Sequence, residues 1–227
     1  MPKRVDHEER RRHIGEALLR IASERGLQSA TMREVAAEAG VSLRLVQYYF
    51  TSKEELLVAS LAYLAEQLTA RVREFIRALG DPTPRTIVVG TLTAVLPTDA
   101  EGLRLTRAYT GFYTLVFSEP ELGEKHGPTY PDRIERLITT HLRAAQEAGL
   151  ADPTLHPEIT AAGLLALVNG LGSSVLGGQR DGAAALEILT YHLDRIFTPS
   201  GVPAGGVPAG GGSADGVPSS TADRAID

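Results

Sequence analysis

No cysteine occurs in the chain, which excludes disulfides and thiolate metal sites. No uninterrupted apolar run of about 18 residues is visible either, so no membrane partner is expected. The opening MPKRVDHEERRRH lacks the apolar stretch of a secretory signal, which makes a cytoplasmic location the expectation. None of the six histidines has a second histidine four residues away, so no metal site is expected. A glycine-rich phosphate loop and a serine-centred nucleophile elbow are both missing. His141 with Glu147 and His192 with Asp194 lack the makings of a catalytic dyad. No cofactor and no enzymatic activity are therefore expected. Strand patterns are missing as well, and the chain reads as all-α with about nine helices.

Positive charge is scarce: 23 Lys and Arg stand against 28 Asp and Glu, a net charge of −5. Its distribution is more informative than its sum. Residues 1–50 carry a net +2 and the remainder a net −7. Lys3, Arg4, Arg10, Arg11 and Arg12 supply most of that positive charge. They read as a basic arm for phosphates or, equally, as a solvated helix start. What is present is otherwise ordinary for a soluble globular protein: 43 % apolar and 22 % charged residues over 227 positions, enough for one large or two small domains.

Residues 31–53, TMREVAAEAGVSLRLVQYYFTSK, organise the rest. Thr31 is suited to cap a helix over 32–39, and Gly40 supplies the left-handed residue that ends it. Ser42 caps a second helix from Leu43. Val35, Ala36, Ala39, Val41, Val46 and Phe50 form the inner set, leaving Arg33, Arg44, Gln47, Tyr48, Tyr49 and Lys53 outward. Two short helices around a glycine-containing turn make a helix-turn-helix. An amphipathic helix over 8–25, with Ile14, Ala17, Leu18, Ile21 and Ala22 on one stripe, braces the pair.

Ser52 with Glu55 predicts a capping box opening a long helix to Gly80, with Leu57, Leu61, Leu64, Leu68, Val72, Phe75 and Leu79 inward. Further helices are predicted over 85–96, 100–118, 132–148, 158–176 and 183–197. Residues 119–130 read as irregular. From 199 onward the Gly/Pro/Ala/Ser-rich sequence reads as a disordered tail. The expected domains are 1–56, a three-helix head, 57–198, a helical body, and the tail 199–227.

Residues 8–60 resemble the DNA-binding domain of the tetracycline-repressor (TetR) family of bacterial transcriptional regulators. The resemblance rests on a helix ending Arg25-Gly26, then TMREVAAEAGVS, a Tyr-Tyr-Phe end to the second short helix, and Ser52-Lys53-Glu54-Glu55-Leu56. It implies a homodimer, recognition helices in successive major grooves of a double-stranded operator, and an effector pocket in the body. Thr31, Tyr49 and Lys53 match backbone-phosphate contacts, with Ser42 and Tyr48 beside them. Arg33, Leu43, Arg44 and Gln47 match positions that reach base edges. Many members have a small residue in place of Arg44 and an aromatic in place of Gln47. Arginine favours guanine and glutamine favours adenine, so the usual operator does not carry over. Arg44 against phosphate or solvent, and Tyr48 and Tyr49 packed on the head's own surface, remain the alternatives.

In the body, Tyr109, Phe112, Tyr113 and Phe117 fall on adjoining helix positions and form either core or the wall of a pocket for a small, largely apolar effector. His141 and Asn169 are its candidate polar groups, or satisfied buried residues. Leu164, Leu167, Leu171, Val175, Leu186, Leu189 and Leu193 are the candidate dimer anchors on the last two helices, with an intramolecular core as the alternative. The leading expectation is a ligand-released repressor. A small-molecule or protein-interaction module with a non-functional head is the alternative, and an all-α enzyme rests on the aromatic helix alone.

Overall fold

A computed structural model describes residues 2–118 and 129–197, with side chains omitted at 2–6, 28, 116, 117 and 129–131. Of the expected irregular segment 119–130, residues 119–128 lie outside the described residues, as do the tail from 199 and the Phe117 side chain, while 129 and 130 are helical. Within them the chain forms nine α-helices and no strand.

The first helix, α1 (Pro2–Glu24), starts six residues earlier than expected. Nothing between Lys3 and Arg10 breaks a helix, and Pro2 suits a first turn. Gly26, at φ 81°, ends it, and an unforeseen 3-10 turn over Leu27–Ser29 follows. Next come α2 (Met32–Glu38) and α3 (Leu43–Tyr49), separated by Gly40 at φ 65°. Val35, Val46 and Phe50 are fully buried against Ile14, Leu18 and Ile21 of α1, closing the head's core.

From the head leads α4 (Lys53–Ala78), whose 26 residues span about 39 Å. Leu57, Leu64 and Leu68 are buried, but Leu79 lies past the helix end, 47 % exposed, so the inward stripe stops earlier than predicted. Ser52 caps α4, yet the expected capping box does not form. The Glu55 carboxylate accepts instead from the Thr51 N–H and hydroxyl and from Arg11.

Helices α5 (Pro84–Val95) and α6 (Ala100–Ser118) follow, the first opened by Thr83 with proline in its first turn. Then come α7 (Thr129–Glu147), three residues longer at its start than predicted, α8 (Pro157–Leu176) and α9 (Gly182–Ile196). Helices α5, α7, α8 and α9 enclose a second core around Leu92, Leu96, Ile138, Val168 and Leu189. The expectation of no membrane-length apolar stretch needs correcting: α8 is long and apolar enough to cross a membrane, with a mean hydropathy of 1.7. Leucine, valine and isoleucine set that value, and Leu164, Val168 and Leu171 of the same helix fill the second core.

Helix α6 belongs to both halves. Leu105, Ala108 and Phe112 are buried in the head's core against α1 and the 3-10 turn. Phe112 is therefore a core residue and not a pocket wall. A second joint lies further along α4, where Arg71, 8 % exposed, donates from Nε to the Ala94 carbonyl at 2.8 Å and from Nη2 to Asp99 Oδ2 at 2.9 Å. Its guanidinium stacks 4.6 Å over Phe75. A Cβ at Gly102 would stand 2.9 Å from Arg71 Nη2, so glycine is what lets the start of α6 approach.

Asp99 also caps α6, accepting from the Gly102 N–H at 2.7 Å. That bond, with Arg71, holds its carboxyl below the usual range against the opposing effect of burial. Because the folded value is the lower one, its contribution is whole above the ordinary carboxylate range and fades as pH falls through the lowered value. Asp99→Ala removes a cap and a charged hydrogen bond, and should lower the unfolding free energy by about 1–3 kcal/mol in urea at neutral pH. The gap from the unsubstituted protein should close below about pH 4, and a gap independent of pH would contradict the assignment.

Candidate nucleic-acid interface and ligand pocket

Thr31 forms a full capping box with Glu34: its hydroxyl accepts from the Glu34 N–H at 3.2 Å and its own N–H donates to Glu34 Oε2 at 2.8 Å. The spacing Thr-Met-Arg-Glu carried that signal in the sequence. Ser42 opens α3 by accepting from the Leu45 N–H at 3.2 Å. The Ser42 hydroxyl so engaged keeps its own hydrogen for an outside acceptor such as a phosphate, whereas the Thr31 N–H and then its hydroxyl bond the Glu34 carboxylate and draw it below its ordinary range. Along α3, Arg44, Gln47 and Tyr48 are exposed, Tyr48 at 72 %. Arg33 on α2 and Lys53 at the start of α4 are exposed as well. Leu43 and Tyr49 are half-buried against the head's core. Eight of the nine residues singled out by sequence thus fall on two short helices and their caps, and the ninth, Lys53, opens α4.

What holds α3 in place was not visible in the sequence. Arg11 of α1 donates to the Tyr49 carbonyl and, at 3.0 Å, to Glu55 Oε1, with its guanidinium 4.3 Å over the Phe50 ring. The His7 ring packs edge-on against Tyr49 at 4.7 Å, and Tyr48 against Tyr49 at 5.2 Å. His13 Nε2 lies 2.8 Å from the Ala39 carbonyl, pinning the end of α2. Thr51, first in effect, and then Arg11 draw the Glu55 carboxyl below its ordinary value. The Arg11 and His7 contacts join residues 38 or more apart in sequence and the His13 contact residues 26 apart, which no local pattern encodes.

A cavity of about 390 Å³ opens in the body between α4, α5, α6, α7 and α8. Leu68, Val95, Leu105, Ile134, Leu165 and Val168 form its apolar wall, and Thr106, Thr110, Thr114, Asn169, Gly172 and Ser173 a polar one. Tyr109 and Tyr113 line it together, their ring centroids 4.5 Å apart. Of the expected pocket residues, Tyr109, Tyr113 and Asn169 are there. His141 is half-buried on α7 but does not line the cavity, and desolvation pushes its pKa down. The threonine row was missed, although 106, 110 and 114 recur at the four-residue spacing of one helix face. Among the described residues no cluster of three or more His, Asp or Glu could hold a metal ion.

The candidate dimer anchors need correction. Leu164, Leu171, Leu189 and Leu193 point into the chain's own second core, and only Leu167, Val175 and Leu186 are partly exposed. Periodicity identified an apolar face but not its neighbour. The outward face of α8 instead carries Ile159, Ala162, Gly163, Ala166 and Gly170, with Tyr191 exposed on α9. Nothing stands within 4 Å of a Cβ placed at Gly163 or Gly170.

Comparison with known proteins places the chain in context. Residues 14–60 match the family described as bacterial regulatory proteins, tetR family, and residues 84–198 match the C-terminal region of BetI-type transcriptional repressors. The chain is 31 % identical over 171 residues to the HTH-type transcriptional regulator PksA of Bacillus subtilis, covering 75 % of this chain and 80 % of that protein. It is 28 % identical over 203 residues to the regulator BetI of Burkholderia thailandensis, covering 88 % and 99 %. The crystal structure of a transcriptional regulator from Rhodococcus sp. RHA1 superposes with a TM-score of 0.69 at 29 % identity, over 82 % of this chain and 95 % of that one.

The contrast between Arg11 and its neighbour tests the account of α3. Arg12 pairs with Glu66 at 2.8 Å where both side chains are more than half exposed. Arg12→Met should therefore cost under about 1 kcal/mol. Arg11→Met takes the side-chain donor from the Tyr49 carbonyl and the charged partner from Glu55, which keeps Thr51, and should cost about 1–3 kcal/mol, read from denaturant midpoints of the two variants. Equal losses would refute a special role for Arg11.

Proposed function

Because this chain belongs to the TetR family of bacterial regulatory proteins, we propose that it is a dimeric repressor of a near-palindromic operator, released by a small, largely apolar effector. The family's members are transcriptional regulators and not enzymes; they bind DNA and small molecules and act as dimers. The observation that carries the reading is α6. One face of this helix sits in the head's core through Leu105, Ala108 and Phe112, and the adjoining face lines the cavity through Thr106, Tyr109 and Tyr113. A ligand in the cavity therefore touches the same helix that supports the head.

In this reading, two heads stand about one DNA turn apart, 34–36 Å, on successive major grooves. Arg44 and Gln47 reach base edges, while Thr31, Ser42, Tyr49 and Lys53 hold phosphates. Effector release requires the ligand to bind the DNA-competent and incompetent states with different affinity. Movement of α6 and of α4, which supplies Leu68 to the cavity, would change the spacing of the heads.

Arg44→Ala should weaken operator binding by about 1–3 kcal/mol and relax preference at one base position, while Lys53→Ala should weaken all sequences alike and reduce the salt slope by about one. Binding-site selection followed by titration on selected and scrambled DNA checks both. Selection that returns no palindrome would favour the alternative, a ligand-binding module with an inactive head.

The open face of α8 is the proposed site of dimer contact. Glycine inside a helix costs about 1 kcal/mol relative to alanine, and within one chain nothing at Gly163 or Gly170 makes use of the missing side chain. Close approach of a second copy would. Gly163→Arg with Gly170→Arg should leave the chain folded, convert dimer to monomer in light scattering, and lower operator affinity at least about tenfold, a 1.4 kcal/mol effect. A folded variant that stays dimeric removes this face from the interface.

A further inference from the structure

The lining of the cavity narrows the chemistry of what it takes. Resting on the reading of this cavity as the effector site, we infer that it selects an uncharged, largely hydrocarbon molecule bearing a hydrogen-bond acceptor such as a ketone carbonyl, held by the Asn169 amide facing Thr106.

At about 390 Å³ the cavity has the volume of a small-molecule pocket. No Asp, Glu, Lys, Arg or His side chain lines it among the described residues. The nearby guanidiniums are already committed: Arg71 to Ala94 and Asp99, Arg104 to Glu101 and Gln67. An ionised ligand would thus be desolvated without a counter-charge, a cost of several kcal/mol.

Aromatic faces are the other means of holding a cation. Tyr109 and Tyr113 have centroids 4.5 Å apart and planes inclined by 36°. Their inner faces cover each other, so the pair offers no gap in which a quaternary ammonium could sit between two rings.

Hydrogen-bond polarity then decides where an acceptor on the ligand can be met. The Thr114 hydroxyl already donates to the Thr110 carbonyl at 2.9 Å, and Ser173 to the Asn169 carbonyl at 3.0 Å. Both therefore face the cavity as acceptors. The Asn169 side-chain amide and the Thr106 hydroxyl make no hydrogen bond among the described residues and keep donors to offer. The two helices are close here, with a Cβ at Gly172 falling 3.4 Å from Thr106 Cγ2. A carbonyl between α6 and α8 would meet both donors, with its hydrocarbon on Leu68, Val95, Leu165 and Val168.

Three probes sharing a ten-carbon chain separate the possibilities: decan-2-one, decanoate and decyltrimethylammonium, titrated calorimetrically into the full chain. The ketone should bind at least about tenfold more tightly than either ion. Asn169→Leu, at an exposed position, should weaken the ketone about fivefold, the worth of one net hydrogen bond. Either ion binding as tightly as the ketone, no ketone binding at about 1 mM, or an unaffected Asn169→Leu overturns the inference. Retention of the selected operator fragment is read in the same samples. Ketone binding with unchanged operator affinity would leave the ligand class standing and remove effector control. Operator release by an ion alone would do the reverse.

Discussion

The guanidinium of Arg71 is the point on which the architecture turns. It is buried, it fills the carbonyl end of α5, it meets the capping carboxylate of α6, and it is itself a residue of α4. Three helices that line one cavity are thus joined by one side chain. A buried charge tolerates few arrangements, because an unpaired guanidinium in that position costs far more than the pair contributes. Gly102 reinforces the constraint, since any side chain there collides with the guanidinium. The corner between α5 and α6 is also tight on its far side, where a Cβ at Gly182 would lie 2.7 Å from Thr98 Cα. A rigid corner beneath a cavity makes the ends of α4 and α6 move together or not at all.

That constraint gives α6 its meaning. A helix with one face in the head's core and the next in a cavity cannot be displaced by a ligand without disturbing Leu105, Ala108 and Phe112. Close-packed cores shift between discrete arrangements in preference to deforming smoothly. The route from cavity to reading helix is therefore short. It runs from α6 into the core that Val46 and Phe50 share, and α4 is a second, parallel route.

Signals that act within four residues were legible in the sequence. Thr31, Ser42 and Ser52 cap the helices they were expected to cap, and Gly40 takes the positive φ that ends a helix. Nine helices and the exposed set on α2 and α3 followed from those signals and from the 3.6-residue period. Partners distant in sequence were not legible. Leucines at 164, 171, 189 and 193 mark an apolar face in one dimension whether they meet their own chain or another. Phe112 and Tyr113 differ by one position, 100° around the helix, and only the packing of α1 decides which turns to the head. The threonines of the cavity read as ordinary helix surface, because polar residues reveal a pocket only when the opposite wall is known. Glu55 was assigned to Ser52, but Thr51 and Arg11, the latter 44 residues away, drew the carboxylate elsewhere.

The same packing decides how the head meets DNA. Of its arginines, Arg11 is committed to Glu55, Arg12 to Glu66, and Arg20 and Arg25 together to Glu38. Those pairs brace the three helices and remove much of the head's net positive charge from phosphate contact. Arg33 and Arg44, by contrast, make no ion pair among the described residues. Sequence-independent affinity scales with the number of phosphates neutralised, and the ion pairs of Arg11, Arg12, Arg20 and Arg25 lower that number among the described residues. On the proposed dimeric reading, discrimination would then come from base edges at Arg44 and Gln47 and from the distance between two heads. On that same reading a single head would hold DNA weakly, so that both must engage, and a small displacement of α4 and α6 would be enough to release the pair.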